Sequence, residues 1–579
     1  MFAANNERLV YRYEAETLWI EAWGKDALRI RATRLNVMPD QLWGLENPEP
    51  QTEPVKPSIV LGANEASITN GGITATVTAS GWVLIRKANG QIILSECNRV
   101  KDMNIRGSSS LNFQAREFKP NHPGSSTSHV KLRLDSICGD EQIYGMGQYQ
   151  LAAMDLKGAD LELAHRNSQA SIPFFVSSLG YGFLWNNPAV GRAVLGTNIM
   201  TFEAYSTTTL DYWICSGPSP AAIQKSFARA THSIPPPMPD YGLSLWQSKL
   251  RYQTQDEVLS VAREYHKRNI SVGVLVIDFF HWDLQGTWDF DPTFWPTPQA
   301  MIEELKSYGI EVMVSIWPTV DKRSPLYPSM LENGFLVRVG SGVKSTLWFY
   351  GDTIFWDATN PDARKYLWEK CKKNYYDLGV RVFWLDEAEP EYDSYDFENY
   401  YYWAGSNLEV GNLYPREYAR TFYEGMKAAG QDHIVNLVRC AWVGSAKYGA
   451  LVWSGDIASS WESFRAQLCI GLSMGLCGVP WWTTDIGGFH HGESADQGFR
   501  ELLIRWFQWG AFCPVMRLHG NREPMQDQLG NSGGSVCCSG APNEIWSFGE
   551  EVESILLKYL EIRDMLKDYI KGLMEICQQ

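Results

Sequence analysis

Beyond Ser233-Ile-Pro-Pro-Pro-Met-Pro239, short apolar runs alternate with amphipathic helical stretches through the remaining 340 or so residues of the sequence. Strand-like runs fall at 242–246, 272–277, 311–316, 382–385, 434–438, 451–453, 479–482 and 514–518. Between them lie helical patterns at 255–267, 298–307, 361–376, 415–429, from 461 onward and at 499–509, with a long final one at 549–576. Eight strands interleaved with seven helical stretches predict a closed (β/α)8 TIM barrel rather than an open sheet. Ser459-x-x-Glu462 reads as a capping box for the helix that begins at Trp461. Residues 469–482, broken by Gly471, Ser473, Gly475 and Gly478, read as a buried helix leading into a strand. No run reaches the roughly eighteen apolar residues of a membrane span.

Upstream of the proline-rich segment the period is that of strands. Runs 9–13, 18–22, 27–32, 73–78 and 130–134 alternate wholly or in part, and 82–86, Asn89-Gly90 and 92–94 form a hairpin signature. Connections at 47–57 and 119–128 are rich in Pro or Ser and lack helical period. The division expected is an all-β sandwich domain over 1–234 and a catalytic barrel over 235–579.

The barrel strands end in polar chemistry. Val382 to Leu385 is a wholly apolar run that stops at Asp386, Glu387 and Glu389 before Pro390. The other strands give Asp278 with Phe279 and Phe280, then Trp317, Arg439, Trp453 with Asp456, Asp485, and Arg517 with His519. Carboxylates, Arg, His and Trp at one barrel mouth suit a hydroxyl-rich ligand, and two carboxylates beside a scissile bond are what glycoside hydrolysis needs. His490, His491 and Glu493 match no common metal spacing.

Formal net charge is −15, which argues against nucleic acid or an anionic membrane as partner. Eleven cysteines occur without a C-x-x-C pair, and the first residues lack a basic segment followed by an apolar one. Both features predict free thiols, no signal peptide and a cytoplasmic location.

Trp384-Leu-Asp-Glu-Ala-Glu-Pro390, Trp453-Ser-Gly-Asp456, Trp482-Thr-Thr-Asp-Ile-Gly-Gly-Phe489 and Arg517-Leu-His-Gly520 resemble the signatures of glycoside hydrolase family 31, in that family's order. Tyr144-Gly-Met-Gly147 and Gly180-Tyr-Gly182 are similar to its N-terminal domain, so the resemblance covers most of the chain. Asp278-Phe-Phe-His-Trp282 and the Asp386 segment look most like the α-xylosidase branch, with α-glucosidases as runner-up. The resemblance implies that Asp386 is the nucleophile and Asp456 the general acid/base of a retaining, exo-acting α-glycosidase. Asp278, Arg439 and His519 would bind sugar hydroxyls, and Trp317 and Trp384 would pack against the ring. Phe279 or Phe280, Trp453 and Asp485 complete the expected sugar site. Arg439 is expected to keep Asp386 ionised, and desolvation beside Trp453 to raise the pKa of Asp456.

The substrate implied is an oligosaccharide or small α-glycoside, with no cofactor and no metal; a homo-oligomer is compatible with the sequence. Trp384 departs from α-xylosidases that carry Lys two residues before the nucleophile. The family usually adds β domains after the barrel, and up to Gln579 none is read. Alternatives are an α-glucosidase, a transglycosylase or lyase using the same glycosyl-enzyme, and a non-catalytic sugar binder, the last disfavoured because both carboxylates are present.

Overall fold

The computed structural model describes residues 1–5, 7–48, 56–99, 113–531 and 533–578. Most of the connection expected at 47–57 lies outside them. The eight predicted barrel strands are present as β1 (Leu245–Gln247), β2 (Val272–Ile277), β3 (Glu311–Ile316), β4 (Val382–Leu385), β5 (Asn436–Val438), β6 (Ala450–Trp453), β7 (Trp482–Thr483) and β8 (Met516–Leu518). They form one parallel sheet in chain order, with β8 returning to pair with β1. Between β7 and β8 the ladder thins to Val515 N–H donating to the Trp482 carbonyl at 3.4 Å and Thr483 Oγ1 donating to the Val515 carbonyl at 2.9 Å.

The pleat decides which strand-end residues face inward. Trp246, Val274, Val276, Met313, Val382, Trp384, Leu437, Leu451 and Trp453 pack together inside the barrel. Their immediate neighbours Leu275, Ile277, Val314, Phe383, Leu385 and Val452 pack outward in the larger core beneath the helices. This is the period of two expected of a strand buried on both faces. Continued past the strand ends, the inward parity falls on Asp278, Trp317, Asp386 and Arg439, and on Arg517 and then His519.

The outer ring holds α1 (Gln255–Lys267), α2 (Pro298–Ser307), α3 (Pro361–Cys371), α4 (Tyr414–Ala428), α5 (Trp461–Leu476), α6 (Gln497–Gly510) and α7 (Glu550–Ile576). Three expectations need correction. Residues 242–243, read as the start of β1, belong to a 3-10 turn over Asp240–Leu243. The cap of α5 is Ser460, whose side chain accepts from Ser463 N–H, rather than Ser459. α5 is not a buried helix: it lies on the outside of the barrel, and Leu472 is 63% exposed.

The N-terminal part is all-β, as expected. Eight antiparallel strands, from Phe2–Asn5 at one edge to Ile143–Gln148 at the other, pack on a five-stranded sheet containing Ser128–Asp135 and Ile199–Thr207. Leu18, Ile20, Leu132, Phe175, Phe183 and Phe202 share the core between them. A five-stranded meander from Ser58–Leu61 to Ile92–Ser95 adjoins it. One helix here, Pro220–Thr231, is absent from the strand-only reading. It is capped by Ser219, starts on Pro220 and buries Ile223, Phe227 and Ala230. Phe227 stacks on Phe174 at 3.8 Å, in the same core as the barrel's outer face, so the two parts are packed as one body. Gln148 joins them at the mouth, donating to the Trp453 carbonyl at 3.1 Å and accepting from Trp482 Nε1 at 2.9 Å.

Candidate active site

The strand ends open into a cavity of about 570 Å³. Asp278, Phe279, Trp317, Trp384, Asp386, Arg439, Asp456 and His519 all line it, drawn from six of the eight strands. Three other residues expected at the sugar stand one layer back. Phe280 packs among Trp282, Trp317, Phe349 and Tyr350. Trp453 meets Trp384 edge to face at 5.3 Å, and Asp485 is fully buried against Arg517, whose guanidinium lies 4.4 Å from the Trp384 ring. These residues fix the cavity wall rather than form it.

Arg439 organises the floor. Its guanidinium reaches Asp386 and Asp456 through the same atom, Nη1, at 3.5 Å each, and touches Glu387 at 3.1 Å, Glu389 at 2.7 Å and Glu391. Five carboxylates around one cation cannot all be ionised in a desolvated site without strong mutual repulsion. Burial pushes Asp386 up to about 6 and Glu389 up to about 8, with Arg439 pulling both down; Glu387 is raised well above the carboxylate range by the same burial. Trp317 Nε1 donates to Asp386 Oδ2 at 3.0 Å, which holds that carboxylate in one orientation. Desolvation was expected at Asp456, but Asp456 is the more open of the two carboxylates. Its side chain is 27% exposed against 8% for Asp386, so desolvation falls more heavily on Asp386.

Burial raises Asp278 well above its ordinary value and drops His519 well below its own, so an uncharged imidazole faces the site. Ser248 Oγ sits 2.7 Å from His519 Nδ1, leaving Nε2 turned toward Asp278 at 3.7 Å. Asp278 Oδ1 accepts from Phe279 N–H at 2.7 Å. Phe279 stands against Trp317, with ring centroids 4.7 Å apart, and against Phe349 at 6.1 Å. The chain bends hard beside these groups: Glu387 and Phe280 take φ of +52° and +54°, values disfavoured for residues with a Cβ.

Sequence reading missed several groups. Asn167, from the N-terminal domain, donates to Asp456 Oδ2 at 2.7 Å and accepts from the Asp456 N–H at 3.0 Å. Its amide also donates to Glu391 Oε2 at 3.3 Å. Leu347 and Phe349, in the excursion between β3 and β4, close the rim, as do Tyr395 and Phe489. Glu391 was the findable one, a fourth acid in the run that follows Leu385.

A family model described as "Glycosyl hydrolases family 31 TIM-barrel domain" matches residues 235–573. A second, "Glycosyl hydrolase 31 N-terminal galactose mutarotase-like domain", matches 17–192. Alpha-xylosidase A of Aspergillus niger is 33% identical over 626 residues, covering 99% of this chain and 82% of that protein. An uncharacterized family 31 glucosidase ORF2 of Pseudescherichia vulneris is 51% identical over 523 residues, covering 89% of this chain and 97% of its own. Among solved structures, a GH31 alpha-xylosidase from a soil metagenome, complexed with xylose, superposes with a TM-score of 0.96 at 50% identity. That match covers 100% of this chain and 86% of the other.

Proposed function

This chain belongs to glycoside hydrolase family 31, and from that premise we propose that it is a retaining, exo-acting α-xylosidase. Asp386 attacks the anomeric carbon of a terminal α-xylosyl unit while Asp456 protonates the departing oxygen. Water, deprotonated by Asp456, then releases xylose from the glycosyl-enzyme with its anomeric configuration restored. The observation that carries this reading is the shared contact of both carboxylates with Arg439 Nη1 at 3.5 Å. Their nearest oxygens are therefore no farther apart than twice that length. That bound includes the separation of about 5–5.5 Å that retention requires and excludes most, though not all, of the about 6.5–9.5 Å range by which inversion admits a water. A cytoplasmic location, also part of this proposal, is supported by eleven cysteines that are all free.

Xylose rather than glucose is supported by the aromatic wall of Phe279, Trp317 and Phe349 and by the α-xylosidases among the relatives. A pentopyranose lacks the hydroxymethyl group at C5, and a wall of rings at that position rejects the larger sugar by clash. The expected result is a higher kcat/KM for an aryl α-xyloside than for the matching α-glucoside. Phe279→Ala should narrow that gap by about tenfold, the scale of one or two methylene-sized contacts in a pocket. A parent enzyme that prefers the α-glucoside would replace this reading with an α-glucosidase.

The pH profile follows from the same geometry. Asp386 must be ionised to attack, and burial pushes its carboxyl up to about 6. Activity is therefore lost as pH falls through that value, since protonation removes the nucleophile. The acid limb of kcat/KM on an activated aryl α-xyloside should bend near pH 6. A bend near 4, where an ordinary Asp titrates, would mean that desolvation of Asp386 does not govern the free enzyme.

A further inference from the structure

Arg251 is a buried cation without an acid. It lies beyond β1 at the barrel mouth, beside Leu250 of the cavity wall, and is 2% exposed. Its neighbour Lys249 has Glu257 at 3.1 Å, whereas Arg251 forms no ion pair among the described residues. The guanidinium instead donates to three backbone carbonyls: from Nε to Phe279 at 3.3 Å, from Nη2 to Phe280 at 3.1 Å and from Nη1 to Cys537 at 3.3 Å. Burial lowers its pKa, so the charge is held against a desolvation cost that an apolar side chain of similar length would not carry.

We propose that Arg251 is a positioning residue for sugar choice: its fork fixes the backbone that holds Phe279 in the cavity wall, and so sets how strictly the site prefers a pentose. The inference rests on the xylosidase reading and adds the group that holds its aromatic wall in place.

Backbone geometry is the first argument. The Phe279 carbonyl belongs to the peptide before Phe280, and the Phe280 carbonyl to the peptide after it. One guanidinium thus grips both peptide planes that flank a residue with φ of +54°. That conformation is disfavoured for a residue with a Cβ and persists only where the surroundings hold it. Phe279 is fixed from both sides as well. Its N–H donates to Asp278 Oδ1 at 2.7 Å, and its carbonyl accepts from Arg251. With both peptides set, the Phe279 ring is directed onto Trp317, 4.7 Å away between centroids.

The anchoring of Arg251 itself is the second. Its N–H donates to Ser539 Oγ at 3.3 Å, and that hydroxyl donates back to the Arg251 carbonyl at 2.6 Å. Ser539 and Cys537 belong to the segment after β8, where Gly534 packs so closely on the Phe280 carbonyl that a Cβ has no room. The fork therefore ties the end of β2 to the segment after β8. Three acceptors around one planar group suit Arg, with its five donors in a rigid fork, better than Lys.

The test is a double-mutant cycle of the parent, Arg251→Met, Phe279→Ala and the pair. The quantity read is kcat/KM for an aryl α-xyloside divided by that for the matching α-glucoside. Arg251→Met should lower this ratio by about tenfold, the size expected of Phe279→Ala. In the Phe279→Ala background it should lower it no further, because both changes act through one ring. Loss of folded enzyme lowers both rates together and leaves the ratio where it was, which separates positioning from stability. Arg251→Lys keeps the charge but spans fewer carbonyls, so its ratio should fall between those of the parent and Arg251→Met. An unchanged ratio in Arg251→Met, or in Arg251→Lys where the Met variant does not fold, would overturn the proposal. So would an equal drop in the Phe279→Ala background. A parent that prefers the α-glucoside would instead sink the underlying xylosidase reading, and this inference with it.

Discussion

Asp386→Ala should yield a folded protein whose turnover of every α-glycoside is lower by on the order of 10⁴-fold or more. The carboxylate is met by the side chains of Trp317, through Nε1 at 3.0 Å, and Arg439, through Nη1 at 3.5 Å, and neither can replace it as a nucleophile. Glu387 is the neighbouring acid, yet burial raises it well above its ordinary value, which disfavours the ionised form that a nucleophile needs. Deleting one of five acids around Arg439 also relieves repulsion, so a native circular dichroism spectrum is expected. Asp386→Asn, which keeps the shape and the hydrogen bond from Trp317, should be equally inactive. Activity of either variant within tenfold of the parent would move the nucleophile elsewhere in the cluster.

Asp456→Ala should show the second-largest effect, and its size should depend on the leaving group. Proton donation typically contributes about 10²–10⁴-fold, and a poor leaving group needs all of it. A sugar alkoxide should accordingly lose on the order of 10³-fold, while an activated phenol should lose little in the bond-breaking step. Release of xylose then becomes limiting, because water lacks its base. Azide needs no base, so added azide should restore turnover and yield α-xylosyl azide. Asn167, which holds Asp456 by two hydrogen bonds, positions the acid. Equal losses on both substrate classes without azide rescue would assign Asp456 to binding alone.

The parts of this molecule that were readable from sequence are those whose physics is local. β2 and β4 were placed to the residue because each is an apolar run that stops at an aspartate, β3 because Trp317-Pro318 closes its run, and α1 and α2 because of their apolar period. The inward parity of those strands carries Asp278, Trp317 and Asp386 into the cavity, which is why they could be singled out. The helix Pro220–Thr231 carried its Ser219-Pro220 start and its Ile223, Phe227, Ala230 stripe openly. It was passed over because everything before it reads as strand. At the start of α5 two serines compete, and only the backbone geometry decides that Ser460 accepts from Ser463 N–H. Asn167 had no local signal at all, since it is 289 residues from Asp456 and meets it only through domain packing. The choice between Phe279 and Phe280 likewise waited on the excursion that brings in Phe349.

The central claim is a covalent xylosyl-enzyme on Asp386, and trapping it is the most direct test. 5-Fluoro-α-xylosyl fluoride combines a leaving group that departs readily with a ring fluorine that disfavours the oxocarbenium-like transition states of both steps. Incubation followed by mass spectrometry of the intact protein should show one fluoroxylosyl adduct, and peptide mapping should place it on Asp386. No adduct under conditions that inactivate the enzyme, or an adduct on Glu387, Glu389 or Asp456, would contradict the account.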